Sequence, residues 1–205
     1  RDEANGGLKW TLSQGEDIHL YAKTTSTTEG SMTIGTATEY TGDAEGVIDD
    51  NAWNIHLDYT GETPVLYLKG ATLSTETAGV AALKVETNGA FVLHSVEGTE
   101  NTIATNHDGT RSTYAMYFLA QDGTTVTGTG KLFGRCGTSG AEMSPLVGTK
   151  YALTFDHADV ELYGKSFRTA VIVIGSDSAD DILTVNGGKL TLWNADSASG
   201  SGRLI

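Results

Sequence analysis

One pattern constrains this chain more than any other: apolar, any, apolar, four residues, apolar, any, apolar. Leu153, Phe155, Val160 and Leu162 fit it, as do Leu183, Val185, Leu190 and Leu192, and Leu83, Val85, Ala90 and Val92. A weaker copy runs Tyr117, Leu119, Thr124 and Val126, and a partial one runs Leu66, Leu68 and Leu73, ending on Thr75. The copies start roughly 17, 34, 36 and 30 residues apart, in the range of stacked-repeat proteins. Alternation of period two is a strand signal. The four residues between the apolar pairs carry turn formers: Asn88-Gly89, Asp122-Gly123, His157-Ala158 and Gly187-Gly188. Each unit therefore reads as strand, tight bend, strand. No stretch keeps apolar residues three and four apart over a dozen positions without glycine, so helix is not expected.

Two all-β architectures can be built from this unit. If the bends are hairpins, each strand pairs with its neighbour and the product is an antiparallel β-sandwich. If they are corners, each strand pairs with its counterpart in the next copy. The product is then a right-handed parallel β-helix, a solenoid whose rungs stack about 4.8 Å apart. The likeness between copies, rather than between adjacent strands, favours the solenoid, because stacking rewards similar residues at equivalent places. The uneven spacing is assigned to loops inserted at 97–112 and 134–148. Residues 1–205 read as a single solenoid domain, with 1–50, which fit the pattern poorly, as an N-terminal cap over the first rung's edge. Arg1 stands where a starting Met would, with no apolar signal core after it, so a segment of a longer protein is expected.

Composition narrows the function classes. Thirteen basic residues against 26 acidic ones give a net charge of −13 and a pI near 4.6. Binding to nucleic acid needs a basic footprint that releases counterions, so no nucleic acid partner is expected. Anionic membrane surfaces are disfavoured for the same reason. Apolar runs such as 170–174 fall far short of the roughly 20 residues of a membrane helix, so no membrane insertion is expected either. Cys136 is the sole cysteine, which excludes an intramolecular disulfide and a cysteine-built zinc site.

Several strings resemble a known family. Val65-Leu66-Tyr67-Leu68-Lys69-Gly70-Ala71-Thr72-Leu73 is similar to a strand-Gly-strand rung. Glu97-Gly98-Thr99-Glu100-Asn101-Thr102-Ile103 resembles a characteristic loop. Val126-Thr127-Gly128-Thr129-Gly130-Lys131-Leu132 and Leu183-Thr184-Val185-Asn186-Gly187-Gly188-Lys189-Leu190-Thr191-Leu192 look like later rungs. The family is the bacterial carbohydrate-binding, pectate-lyase-like right-handed parallel β-helices of exported and cell-surface proteins. The resemblance implies polysaccharide binding, assisted by calcium, at an extracellular or cell-surface location, with weak lyase activity in some relatives. A β-elimination enzyme needs a Lys or Arg base beside carboxylates that hold Ca²⁺. No such constellation is recognisable in this sequence.

The residues themselves suggest where chemistry could lie. Ca²⁺ takes six to eight oxygen ligands, and Asp177, Asp180 and Asp181 form the densest acid cluster, with Asp49-Asp50-Asn51 a second. Such turns are also rich in Asp simply because Asp bonds its own backbone. Sugars stack on aromatic rings. Tyr163 and Trp193 each follow an inward-facing leucine at the same point of successive copies, so alternation turns both outward, and Trp53 flanks a further strand. An aromatic can equally pack in a ladder along the stack. The five histidines show no metal-ligand spacing, and no nucleophile elbow is present.

Three functions follow as expectations: a non-catalytic, polysaccharide-binding or adhesin-like surface module, a Ca²⁺-dependent pectate-type lyase, or a self-assembling structural protein. The partner is a polysaccharide or glycan in the first two. In the third it is a second copy, stacked end to end as a homo-oligomer.

Overall fold

The computed structural model describes residues 18–23, 29–34, 36–37, 42–43, 53–58, 61–77, 79–105, 114–136, 146–164, 170–175, 182–194 and 205. Among them every regular element is a strand. The strands stack in three parallel columns. The first holds β6 (Val65–Leu68), β9 (Phe91–Ser95), β12 (Thr124–Thr127) and the first arms of β15 (Leu153–Gly164) and β17 (Leu183–Asn194). The second holds β7 (Thr72–Thr75), β10 (Glu100–Thr105), β13 (Lys131–Cys136) and the second arms of β15 and β17. The third holds β8 (Leu83–Thr87), β11 (Met116–Ala120), β14 (Val147–Thr149) and β16 (Ile172–Ile174). The chain visits the columns in that order, and paired residues on successive turns lie 25 to 33 positions apart. This is a parallel β-solenoid of about three turns, and not the antiparallel sandwich.

Stacking equivalent positions builds the core. Leu66, Leu93, Val126 and Phe155 form one inward row, and Leu83, Met116, Val147 and Ile172 another, all buried. Full burial of each such side chain is worth about 1.5–3 kcal/mol, and in a solenoid each row also fixes the register of its neighbours. A one-residue slip would turn the whole row outward.

The corner between the first two columns is the most repetitive part of the molecule. It carries Gly70 (φ 67°), Gly98 (φ 74°), Gly128 (φ 94°), His157 (φ 49°) and the pair Gly187 (φ 71°) and Gly188 (φ 74°). A positive φ lets the strand turn sharply without a hairpin, and glycine adopts it without strain. At Gly128 a Cβ would overlap the Ser95 backbone oxygen of the preceding turn, so space as well as conformation demands glycine. All four strings that carry the family resemblance lie across this corner.

The repeat pattern needs two corrections. The copies beginning at Leu66, Leu153 and Leu183 span the glycine corner in phase, but the copies beginning at Leu83 and Tyr117 span a different one, from the third column back to the first. There Leu83 and Val85 point inward, but the inward residues beyond the bend are Phe91 and Leu93, with Ala90 and Val92 half-buried. Likewise Met116, Phe118 and Ala120 are buried while Tyr117 and Leu119 face outward. The ranges 97–112 and 134–148 are not simply inserted loops, because β10 lies within the first and β13 and β14 enter the second. Polar or tiny residues interrupt their inward positions: Asn101 and Thr105 flank Ile103 in the first, and Gly134 precedes Val147 in the second. That is why they lack an apolar alternation.

Antiparallel strands line the starting edge. β2 (Glu29–Ile34) pairs with β8 and with β1 (Ile18–Lys23), β3 (Thr36–Ala37) with β7, and β5 (Ile55–Asp58) with β6, while β4 (Gly42–Asp43) pairs parallel with β5. Met32 and Ile34 enter the core from this layer. At the other end β17 is paired only with β15 among the described residues. Its inward Leu183, Leu190 and Leu192 are only partly buried, and Val185 is 50% exposed. No described helix is long and apolar enough to cross a membrane.

Candidate functional site

On the outer face of the second column, alternation and parallel register combine to place three rows of side chains. Glu100, Lys131, Asp159 and Lys189 form the first, an alternation of charge along the solenoid axis. Thr102, Phe133, Glu161 and Thr191 form the second, and Ala104, Arg135, Tyr163 and Trp193 the third. Because the column is parallel, each residue sits over its equivalent one strand spacing away, about 4.8 Å.

The third row forms a stack. The Tyr163 and Trp193 rings are parallel within 8°, with centroids 6.3 Å apart. The Arg135 guanidinium lies 5.7 Å from the Tyr163 centroid and 4.9 Å from that of Phe133, which Lys131 Nζ also approaches at 5.2 Å. Cation–π contacts at such exposed sites are worth about 0.5–1 kcal/mol each. Tyr163 and Trp193 remain 38% and 59% exposed. A large apolar surface thus stays open to solvent beside polar groups whose positions are fixed.

Glu161 ties the rows together. The Tyr163 hydroxyl donates to its Oε2 at 3.1 Å, while Lys131 Nζ and Lys189 Nζ stand 3.8 and 3.6 Å from its Oε1. Partial desolvation pushes its carboxyl pKa up, but the Tyr163 hydrogen bond and the two lysines outweigh that and hold it below its ordinary value. The ion pairs are long and partly solvated, so they orient the groups more than they stabilise the fold. The face therefore offers ring surfaces for the C–H side of a pyranose, with a carboxylate, two ammonium groups and a guanidinium to meet hydroxyls or an acidic substituent.

Of the aromatics expected at a site, Tyr163 and Trp193 are brought together and Trp53 is not. Trp53 is 9% exposed. It lies among His56, Tyr67 and Lys69, with Lys69 Nζ 5.2 Å from its ring. Asp177, Asp180 and Asp181 lie outside the described residues, as does Asp49-Asp50-Asn51. Among the described residues no group of three or more His, Cys, Asp or Glu side chains is placed to hold a metal ion. Cys136 is half-buried beside the Tyr163 carbonyl oxygen at 3.5 Å.

Sequence reasoning missed Lys131, Phe133, Arg135, Glu161 and Lys189. Lys131-Leu132-Phe133-Gly134-Arg135-Cys136 carries glycine where its neighbours carry Ile103 and Leu162, so it does not align as a rung. The site of the missing side chain is filled by Leu162, whose Cδ2 would be 2.6 Å from a Cβ on Gly134. Had glycine been admitted as an inward residue, the outward triplet Lys131, Phe133, Arg135 would have aligned with Asp159, Glu161, Tyr163.

Compared with known proteins, the chain matches no family model, no curated protein and no solved structure.

Proposed function

We propose that this solenoid is a non-catalytic, adhesin-like surface module of a bacterial cell that binds polysaccharide along the outer face of its second column. The observation that carries the reading is the open Tyr163–Trp193 stack, flanked by Arg135 and by the Glu161 carboxylate between two lysines. A repeating ligand suits a repeating surface, since a polymer can meet equivalent rows on successive turns. The four strings that resemble carbohydrate-binding β-helices support the same reading, because together they build the corner that precedes this face. In a chain of net charge −13, three cationic side chains on one face favour a neutral glycan or one carrying scattered carboxylates. For a heavily acidic polymer, Ca²⁺ is the bridge we expect, with Asp177, Asp180 and Asp181 as its ligands.

A glycan array tests the reading. Binding to one polysaccharide class by the native protein, and its loss in both Tyr163→Ala and Trp193→Ala, is the expected result. No binding to any glycan by the folded protein refutes it. Retained binding in both variants refutes the assignment of the face. Chelator in a parallel array reads the calcium requirement, and unsaturated products appearing in the ultraviolet on polygalacturonate would replace the non-catalytic reading with a lyase.

A further inference from the structure

The last described strand, β17, is symmetric about its own corner. Read outward from the bond between Gly187 and Gly188, the sequence Leu183-Thr184-Val185-Asn186-Gly187 meets Leu192-Thr191-Leu190-Lys189-Gly188. Leucine faces leucine, threonine threonine, valine leucine and glycine glycine. Among the described residues nothing pairs with the far edge of this strand. The exposed large apolar residues include Ile182 (56%), Val185 (50%) and Trp193 (59%), all on β17 or immediately before it. Ile182 and Trp193 are themselves symmetric positions about the same point.

The backbone has the matching symmetry. The Leu153 N–H donates to the Ile182 carbonyl. Residues alternate the side to which their N–H and C=O point, so Leu183 and Val185 turn theirs to the free edge. In the second column the Lys131 N–H donates back to Thr99 of the preceding turn. By register Lys189 does the same, which leaves Leu190 and Leu192 facing the free edge. The four residues with outward-directed backbone groups are thus the four that symmetry pairs: Leu183 with Leu192 and Val185 with Leu190.

We infer that two copies of this chain join tail to tail through β17, across a two-fold axis that passes beside the Gly187–Gly188 corner. In that register Leu183 and Leu192 of opposite copies form a hydrogen-bonded antiparallel pair, as do Val185 and Leu190. Thr184 faces Thr191 as a non-hydrogen-bonded pair. Asn186 faces Lys189, so no like charges oppose each other. Ile182 of one copy stands opposite Trp193 of the other. The interface is isologous and closed, since antiparallel strands already line the starting edge of the solenoid. It yields a dimer, not a fibre. A further parallel turn would put Val185 over a different residue set and would not use the symmetry. The inference does not rest on the glycan reading.

Light scattering on a size-exclusion column tests it. The native chain of 21.5 kDa should elute at twice that mass, and Val185→Lys, which places a charge where the copies meet, should elute as a monomer. The register is tested separately in a Cys136→Ser background. Thr184→Cys together with Thr191→Cys should give a dimer that survives denaturing gels until reduced, because a non-hydrogen-bonded pair sets the Cα atoms about 4.5 Å apart, within disulfide range. Neither single cysteine should do so. A native monomer at the highest soluble concentration, a larger open assembly, or equal cross-linking by the single variants would each overturn the inference. The cysteine pair decides the matter if Val185→Lys does not fold.

Discussion

Replacing Asn101 with leucine should destabilise the solenoid although it makes the core more apolar. Asn101 is fully buried in an inward row between Ala71 and Leu132. Its Oδ1 accepts from the Ala71 N–H of the preceding turn at 2.9 Å. Its Nδ2 donates to Thr99 Oγ1 at 3.3 Å and to the Lys131 carbonyl of the following turn at 3.4 Å. One side chain therefore links three turns. Leucine of similar volume leaves the Ala71 N–H without an acceptor, at a cost of about 1–3 kcal/mol, and removes two long bonds worth about 0.5 kcal/mol each. The added apolar burial returns about 1 kcal/mol, leaving a net loss of about 1–3 kcal/mol. Urea unfolding followed by far-ultraviolet circular dichroism reads this as a lower midpoint with an unchanged slope. Asn101→Ala, which lacks the apolar gain, should fall further. An Asn101→Leu protein as stable as the native one would refute the idea that this amide holds the turns in register.

Three other outcomes follow from particular contacts. Gly128→Ala should cost about 3 kcal/mol in the same assay, because the left-handed conformation and the overlap with the Ser95 oxygen penalise any side chain; a loss under about 1 kcal/mol would contradict the corner geometry. His56 is fully buried, and among the described residues neither ring nitrogen has a hydrogen-bond partner, so His56→Phe should raise stability by about 1 kcal/mol, and a marked loss would show that those nitrogens have partners. Glu161 has a folded pKa below its ordinary value of 4.5, so its contribution to stability is complete above that value and is lost as pH falls through the lowered one. Glu161→Gln should therefore flatten the acid limb of a stability–pH curve, and an unchanged slope would remove the Tyr163–lysine network as the cause.

The sequence shows the solenoid where apolar residues occupy both arms of the glycine corner. Leu66 and Leu73, Leu153 and Val160, and Leu183 and Leu190 share one geometry, and their spacing exposes it. It conceals the intervening turns because some of their inward positions are held by other means. Asn101 replaces apolar contact with hydrogen bonds, and Gly134 yields its space to Leu162. The third column falls out of phase for another reason: its strands join the next turn by bends of different length, so Leu83 and Phe91 do not repeat at the spacing of the corner. For the candidate site, alternation alone placed Tyr163 and Trp193 outward at equivalent points, and the register pairs them directly. The cations and Glu161 around them depend on which strands are neighbours, and that order emerges only when the turns are stacked.

Affinity electrophoresis through gels containing neutral and uronate polysaccharides tests the glycan reading most directly. The native protein should be retarded by one class of polymer, while Trp193→Ala and Tyr163→Ala, with native circular dichroism, should migrate as in a sugar-free gel. Equal retardation of the native protein and both variants, or none in any gel, would contradict it.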